Sequence, residues 1–345
     1  MGGVPGDNDP YRVGVVGLGH WATKFDDAFN GDLTVDRAVD VAPISEKRDV
    51  LQALDIPDDN YTRIAPSDPL PEDLFGNVDV VHIASPVQAH RRQTVQALED
   101  SNALVVTEKA YGPALEDHRA VEAVADRQPN DTYLHLHYTR KMPTLALEAA
   151  FDNVVEDTVD DVAMSFLDGF SEEDADRNWI FHPSNGGIVL DWIHPVEVLV
   201  YSCDARFDGL QEAAAFSTTD AYDTDYPTAA ELTYDVSGAG FADDATATVR
   251  IGKGFPRDVP YKAARFDLGT SRLDISYTSS GVERETGDRG AITYDDGDGF
   301  ARRLTGPDPY ELMADDMVRA VEDGDLPLTL AETREMMDAV QMAND

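Results

Sequence analysis

The sequence predicts an α/β chain in two parts: a doubly wound parallel sheet, then an α+β domain on a mostly antiparallel, open-faced sheet. Three observations predict it. Apolar strands alternate with amphipathic helical stretches up to about residue 140. The first strand breaks into Gly17-Leu18-Gly19 and a helical pattern follows. After residue 155 the texture changes to short alternating strands separated by tight turns.

In order, Val13, Val15 and Val16 form the first strand, and the pattern after the glycines continues through Phe25 and Phe29 as a helix. "LTVDRAVDVAP" is a second strand, stopped by Pro43. "SEKRDVLQALDI" has helical spacing, with Val50, Leu51 and Leu54 on one face. "VDVVHIASP", "ALVVTEK" and "TYLHLHYT" are strands; "HRRQTVQALEDS" and "ALEDHRAVEAVADRQ" are helices. Beyond them, "VDDVAMSFLDG", "AAELTYDV", "ATATVRIGK", "AARFDLG", "RLDISYT" and "AITYD" read as alternating strands. Two closing helices start at Asp308 and Thr329, residue types that cap helix N-termini. The expected division is a frayed leader at 1–10, a dinucleotide-binding domain at 11–140 and a substrate and oligomerisation domain at 141–345. The closing helices, 308–345, are free to pack back on the first domain.

The bulk numbers narrow the partners. The chain has 345 residues and a formal net charge of -40, from 67 acidic against 27 basic residues. Such a field repels nucleic acid and anionic membranes, so neither is expected as a partner. The acids are spread through apolar-periodic segments, which argues for a folded, acid-coated protein of a high-salt cytoplasm and against disorder. One cysteine, Cys203, excludes an intramolecular disulfide and a multi-cysteine metal site. With no secretory pattern and no apolar run of membrane-spanning length, a soluble cytoplasmic protein is expected.

Five motifs carry chemistry. Gly17, Leu18, Gly19, His20, Trp21 and Ala22 form G-x-G-x-x-A after a strand. The first glycine permits the turn, the second lets backbone approach a pyrophosphate, and the small third residue lets helix and strand pack. Asp40 stands where an acid would meet the ribose hydroxyls and slightly favours NAD, whereas Ser45, Lys47 and Arg48 close behind it would favour NADP; the choice stays open. Ser85-Pro86 halts a strand at its carboxyl end, where ligands bind in open sheets, with His90 following. Glu108 and Lys109 end another strand at the same edge, in a chain with only six lysines. A lysine there is paired or proton-active, able to donate to a substrate hydroxyl. Finally, Asp191 and His194 lie i,i+3 in a stretch read as one helix, where an acid would orient an imidazole. His182, Asp191 and His194 carry no zinc signature, and no metal is expected.

Together "VGVVGLGHWA", "VDVVHIASPVQAH", "VVTEKAYG", "YTRKMP", "NWIFHPSNGGIVLDWIHP" and "YELMADDMVRAVEDGDLPLTLAETREMMDAV" resemble the glucose–fructose oxidoreductase and inositol dehydrogenase (Gfo/Idh/MocA) family. They occur in family order over nearly the whole chain. The resemblance implies a Rossmann domain, a second sheet domain, and NAD(P)-dependent oxidation of a sugar or polyol hydroxyl or the reverse. It implies Lys109 as the substrate-binding lysine of Glu-Lys-Pro, Asp191 and His194 as the later acid and base, and Trp179 as the tryptophan before the paired glycines. Three positions depart from the pattern: Ala110 replaces proline, Asp191 and His194 are one residue closer than is common, and Ile180 replaces arginine. "EKAYG" and "HYTRK" are more faintly similar to glucose-6-phosphate dehydrogenases, which implies His137 as base, Lys141 at substrate, and a sugar phosphate as substrate. A homo-dimer or homo-tetramer is expected by the same resemblance. The competing expectation is a non-catalytic NAD(P)-binding sensor on the same fold. The charge yields a prediction: far-UV circular dichroism should show loss of structure on going from molar to millimolar KCl, and an unchanged spectrum would refute salt adaptation.

Overall fold

The computed structural model describes residues 9–344 apart from 20, 26–27, 30, 192, 256–261, 278–287 and 296–298. Most of the expected leader and His20 lie outside the described residues. The chain forms two compact units: 1–135 with 310–333, and 136–309 with 334–345.

The first unit is built on six parallel strands in the order β3-β2-β1-β4-β5-β6. They are β1 (Tyr11–Val16), β2 (Leu33–Asp40), β3 (Tyr61–Arg63), β4 (Val80–Ile83), β5 (Leu104–Glu108) and β6 (Thr132–His135). This is the order whose direction of winding reverses between β1 and β4, opening a crevice at their carboxyl ends. All the β4 and β5 residues are buried, as continuous apolar runs covered on both faces require. Helices α1 (Arg48–Ala53), α2 (Val87–Asp100) and α3 (Leu115–Ala125) follow β2, β4 and β5. One face of the sheet buries Val13, Val15, Val35, Val80, Val106 and Tyr133 against Phe25, Phe29 and the Met313 and Met317 side chains of a later helix. That helix, Pro309–Asp323, thus belongs to the first unit's core from Tyr310 onward.

The stretch after the glycines differs from the expected helix. Among the described residues it holds a 3-10 turn at Ala22–Lys24 and an i→i−4 bond from Phe29 N–H to Phe25 carbonyl at 2.9 Å. Thr, Asp and Asn are poor helix formers, and Gly31 at φ +110° closes the stretch. What holds it is burial: Phe25 and Phe29 stack at 5.0 Å and sit in the core.

The second unit carries eight strands in the order β14-β13-β12-β11-β7-β10-β9-β8. They run β7 (Val159–Gly169), β8 (Arg206–Phe216), β9 (Ala229–Ser237), β10 (Phe241–Phe255), β11 (Lys262–Leu268), β12 (Ser271–Tyr277), β13 (Asp288–Asp295) and β14 (Phe300–Gly306). Every neighbouring pair is antiparallel except β7 with β10. The two outermost strands, β8 and β14, were not expected from sequence. Beyond Leu210 β8 is exposed throughout, and β14 has no buried residue, so neither shows the apolar alternation that marks a half-buried strand. Helices α4 (Met142–Asn153), α5 (Glu172–Asp176), α6 (Gly187–Asp191) and α7 (His194–Cys203) complete this unit's long insertions. The helix Pro309–Asp323 is α8, and the last helix, α9 (Leu330–Asn344), opens with Thr329 and Glu332 capping one another. No helix of the described residues is long and apolar enough to cross a membrane.

Candidate functional site

The carboxyl edge of the first sheet carries Gly17, Asp40, Ser85, His90 and Lys109 at or just past its strand ends. Gly17 follows β1 at φ +95°, and a Cβ there would lie 2.7 Å from Ala84 carbonyl oxygen and Ser85 nitrogen. Only glycine lets β1 turn this close to the end of β4. Gly19 has open space where its side chain would be. Leu18 and Ala22 are buried in the core, so they contribute backbone to the edge. Trp21 is half-buried, 6.1 Å from Tyr310 ring to ring, with the Lys24 ammonium 4.8 Å from its centroid.

Asp40, at the end of β2, is buried and holds this turn. Its Oδ2 accepts from Leu18 N–H at 2.6 Å and its Oδ1 from Ala42 N–H at 2.8 Å. Lys47 Nζ sits 3.3 Å from Oδ2 and donates to Leu18 carbonyl at 2.6 Å. Sequence reading set Asp40 and Lys47 on opposite sides of the cofactor choice; here they are one ion pair. The ammonium offsets the charge of Asp40.

His90, on the first turn of α2, bridges two strand ends. Its ring nitrogens lie 2.6 Å from Ala110 carbonyl and 2.5 Å from Ser85 carbonyl, and the ring is buried. Burial pulls its pKa down, while two carbonyl partners favour the doubly protonated ring. His90 thus ties the segment after β5 to the segment after β4. Ser85 donates its hydroxyl to Gln93, and exposed Pro86 precedes α2. Lys109 is half-buried just past β5, and its peptide to Ala110 is cis.

Glu108 is buried in the sheet interior. Its Oε1 lies 3.5 Å from His135 Nδ1 and 3.6 Å from His82 Nε2, on the neighbouring strands β6 and β4. Burial pushes the carboxyl up, but the two imidazoles outweigh that and hold it at about 2. Burial pulls His135 down against the same carboxylate. Sequence reading placed Glu108 with Lys109 at the edge of the sheet where a cofactor would bind, and did not find His82 or His135. No local spacing joins residues 82, 108 and 135; only the strand order does.

In the second unit, the expected single helix carrying Asp191 and His194 is two helices. The cause is Pro195. It has no N–H for the carbonyl of Asp191, and its fixed φ suits the first turn of a new helix. Helix α6 ends at Asp191 and α7 starts at His194. The paired glycines enter α6 with Gly186 at φ +82° and Gly187 at φ +60°. Asp191 pairs with Lys253 Nζ at 3.1 Å. The acid on His194 is instead Glu197, whose Oε2 lies 2.8 Å from Nδ1. Glu197 is wholly buried, and its Oε1 takes Thr139 N–H at 3.0 Å. With Nδ1–H directed at a carboxylate, the acceptor lone pair falls on Nε2, the tautomer a general base needs.

The two histidines between which the sequence could not choose are neighbours. His137 lies in a 3-10 turn, His137–Arg140, and its ring is 4.7 Å from that of His194. The Tyr138 ring lies tilted against that of His194, with centroids 4.3 Å apart. The ammonium groups of Lys141 and Lys262, both buried, lie 4.8 and 5.6 Å from the Tyr138 centroid. Lys262 also pairs with Asp168 at 3.2 Å. Trp179 is 41% exposed, with the Arg177 guanidinium over its ring at 5.7 Å. Sequence reading missed Glu197 and Lys262. The spacing His194-x-x-Glu197 was available as an i,i+3 pair, but Asp191 had filled that role.

No protein-family model matches the chain, and no curated protein matches it in sequence. Its fold is nevertheless shared end to end with solved sugar oxidoreductases. Aldose–aldose oxidoreductase from Caulobacter crescentus, complexed with glycerol, superposes with a TM-score of 0.77 at 15% identity, over 97% of this chain and 98% of that one. UDP-N-acetylglucosamine 3-dehydrogenase from Acidithiobacillus ferrooxidans gives 0.74 at 14%, over 97% of both chains. A 3-ketoreductase from Actinomadura kijaniata, in complex with TDP-benzene and NADP, gives 0.73 at 17%, over 97% and 96%. At these identities the likeness shows the fold, and these neighbours are of the class to which the sequence resemblance points.

The two glycines should separate fold from binding. Gly17→Ala places a Cβ against backbone in the left-handed region, so it should destabilise by roughly 1–3 kcal/mol and lower the melting temperature. Gly19→Ala meets nothing within 4 Å and should melt as wild type while weakening NAD(P)H binding measured by fluorescence. Equal melting of the two variants would refute this assignment.

Proposed function

We propose that the chain is an NAD(P)-dependent oxidoreductase that moves a hydride between a carbinol carbon of a sugar, polyol or sugar phosphate and the nicotinamide. The observation that carries this is the buried His194–Glu197 pair, set in the base-forming tautomer beside His137, Tyr138 and Lys141. The glycine turn fits a dinucleotide: Gly17 brings β1 against β4, and the space beside Gly19 lets a pyrophosphate approach backbone. Bound there, the cofactor supplies the hydride acceptor or donor. His194 takes the hydroxyl proton on Nε2 as the carbonyl forms, and Glu197 stabilises the resulting imidazolium through Nδ1. Lys109 donates to the reacting oxygen. His137 and Lys141 grip the substrate, and Trp179 offers an exposed ring to a sugar face.

The Lys141 ammonium lies over the Tyr138 ring beside His194, so a sugar phosphate stands among the candidate substrates together with neutral sugars and polyols. NAD and NADP both remain candidates, since Lys47 offsets Asp40. The protein is read as a soluble, cytoplasmic homo-oligomer.

Four variants test the roles, assayed in molar KCl by NAD(P)H absorbance against aldoses, inositols and sugar phosphates. Lys109→Ala should lose about 10²–10⁴-fold in kcat/KM while still binding NAD(P)H. Near-normal turnover would remove Lys109 from the mechanism, and binding with no turnover by the wild-type chain would favour a sensor.

His194→Asn and Glu197→Gln should both lower kcat steeply, the first because it removes the base, the second because an amide no longer holds the imidazole tautomer. His137→Asn should mainly raise KM. If the His137 variant alone loses the base from the pH–rate profile, His137 is the base and His194 its neighbour.

A further inference from the structure

Apart from the proposed active site, the first unit contains three ligand-type side chains that converge inside the sheet. His82 on β4, Glu108 on β5 and His135 on β6 point to one face of three adjacent strands. The register puts Glu108 level with His135, and His82 level with Val106, two residues earlier on the same side of β5. All three are buried, at 1%, 5% and 3% exposure.

Their atoms form a nearly equilateral triangle. His135 Nδ1 to His82 Nε2 is 3.3 Å, His135 Nδ1 to Glu108 Oε1 is 3.5 Å, and His82 Nε2 to Glu108 Oε1 is 3.6 Å. Two of these edges are too long for good hydrogen bonds. They match something else: a tetrahedral centre with bonds of roughly 2.0–2.2 Å separates its ligand atoms by roughly 3.3–3.6 Å. Either imidazole N–H can point at Glu108, but at 3.5 and 3.6 Å neither makes a good bond, so Glu108 Oε1 is left a buried oxygen without a well-formed hydrogen bond, and the buried nitrogen His135 Nε2 has no hydrogen-bond partner. Buried polar atoms left in this way call for an ion or water to explain them. The surroundings are aromatic. Phe25 stacks on His135 at 5.0 Å and meets His82 edge-on at 5.2 Å, and Phe29 lies edge-on to His82 at 6.4 Å.

We propose that His82 Nε2, Glu108 Oε1 and His135 Nδ1 bind one divalent first-row transition ion, with zinc the expected occupant. Two imidazoles and one carboxylate are borderline ligands that suit zinc and its neighbours and do not suit magnesium or calcium, which take oxygen shells. The site is closed, so its role is structural: it clamps β4, β5 and β6 just before the residues that end those strands at the sheet edge. Access requires opening of the fold, so loading accompanies folding.

The test uses the full chain in molar KCl. After dialysis against chelator and excess Mg²⁺, which strips ions from surface carboxylates, elemental analysis should find about one zinc or neighbouring ion per chain. Chain unfolded, stripped and refolded with Co²⁺ alone should show the visible bands of tetrahedral cobalt. His82→Gln with His135→Gln should lose both the ion and the bands. A folded wild-type chain with no stoichiometric ion and no cobalt bands overturns the proposal. So does undiminished ion content in a folded double variant, which would place the metal elsewhere. If the double variant does not fold, the wild-type measurements decide alone.

Discussion

The constraint on which the rest depends is the placement of positive charge. The chain has six lysines against 67 acids, and none of the six is exposed. Lys47 joins Asp40 to the glycine turn, Lys253 holds Asp191, and Lys262 holds Asp168. Lys24 lies over Trp21, and Lys141 over Tyr138. Lys109 ends β5. In an ordinary protein most lysines are surface charges with flexible stems. Here that task falls to arginine, and every lysine is held where its position is defined. A field of -40 makes each of these cations electrostatically favourable, and burial makes each one costly to leave unmatched.

Buried carboxylates play the reciprocal part. Asp40 accepts two backbone N–H groups and a lysine, and so fixes the conformation of the turn beside Gly17. Glu197 accepts one N–H and one imidazole, and so fixes a tautomer. Glu108 faces two imidazoles at distances too long to satisfy it. The first two are complete as they stand. The third is complete only with a further positive centre, which distinguishes it from the salt-bridge networks elsewhere in the chain.

What was legible in the sequence was what repeats locally. The buried strands of the first sheet announce themselves as apolar runs, and Gly17, Asp40, Ser85 and Lys109 could be placed at one edge because each ends such a run. Strands β8 and β14 were not legible, because an edge strand with an exposed surface carries no alternation to read. The triangle of His82, Glu108 and His135 was invisible for another reason. Its members are 26 and 27 residues apart, and only the order β4-β5-β6 makes them neighbours. The stretch after Gly19 reads as a helix because two phenylalanines four apart imitate an amphipathic face, although Thr23, Asp26, Asp27 and Asn30 around them are poor helix formers.

The exchange of acids at His194 shows how one residue redirects a site. Read as an unbroken helix, the stretch makes Asp191 the neighbour one turn before the histidine. Pro195 ends that helix and starts another, and His194 becomes the first residue of the new one. Its neighbour one turn on is then Glu197, inside α7 and fully buried, where no water competes for the imidazole. Asp191, left on the preceding helix and partly exposed, pairs with Lys253 instead. The shortened Asp191–His194 spacing therefore does not rotate a catalytic pair out of register. It accompanies a change of partner, from an acid before the histidine to one after it, with the extra methylene of glutamate spanning the i,i+3 reach. A pair made in this way depends on the proline as much as on the two groups that touch, since the proline decides which turn of helix the histidine belongs to.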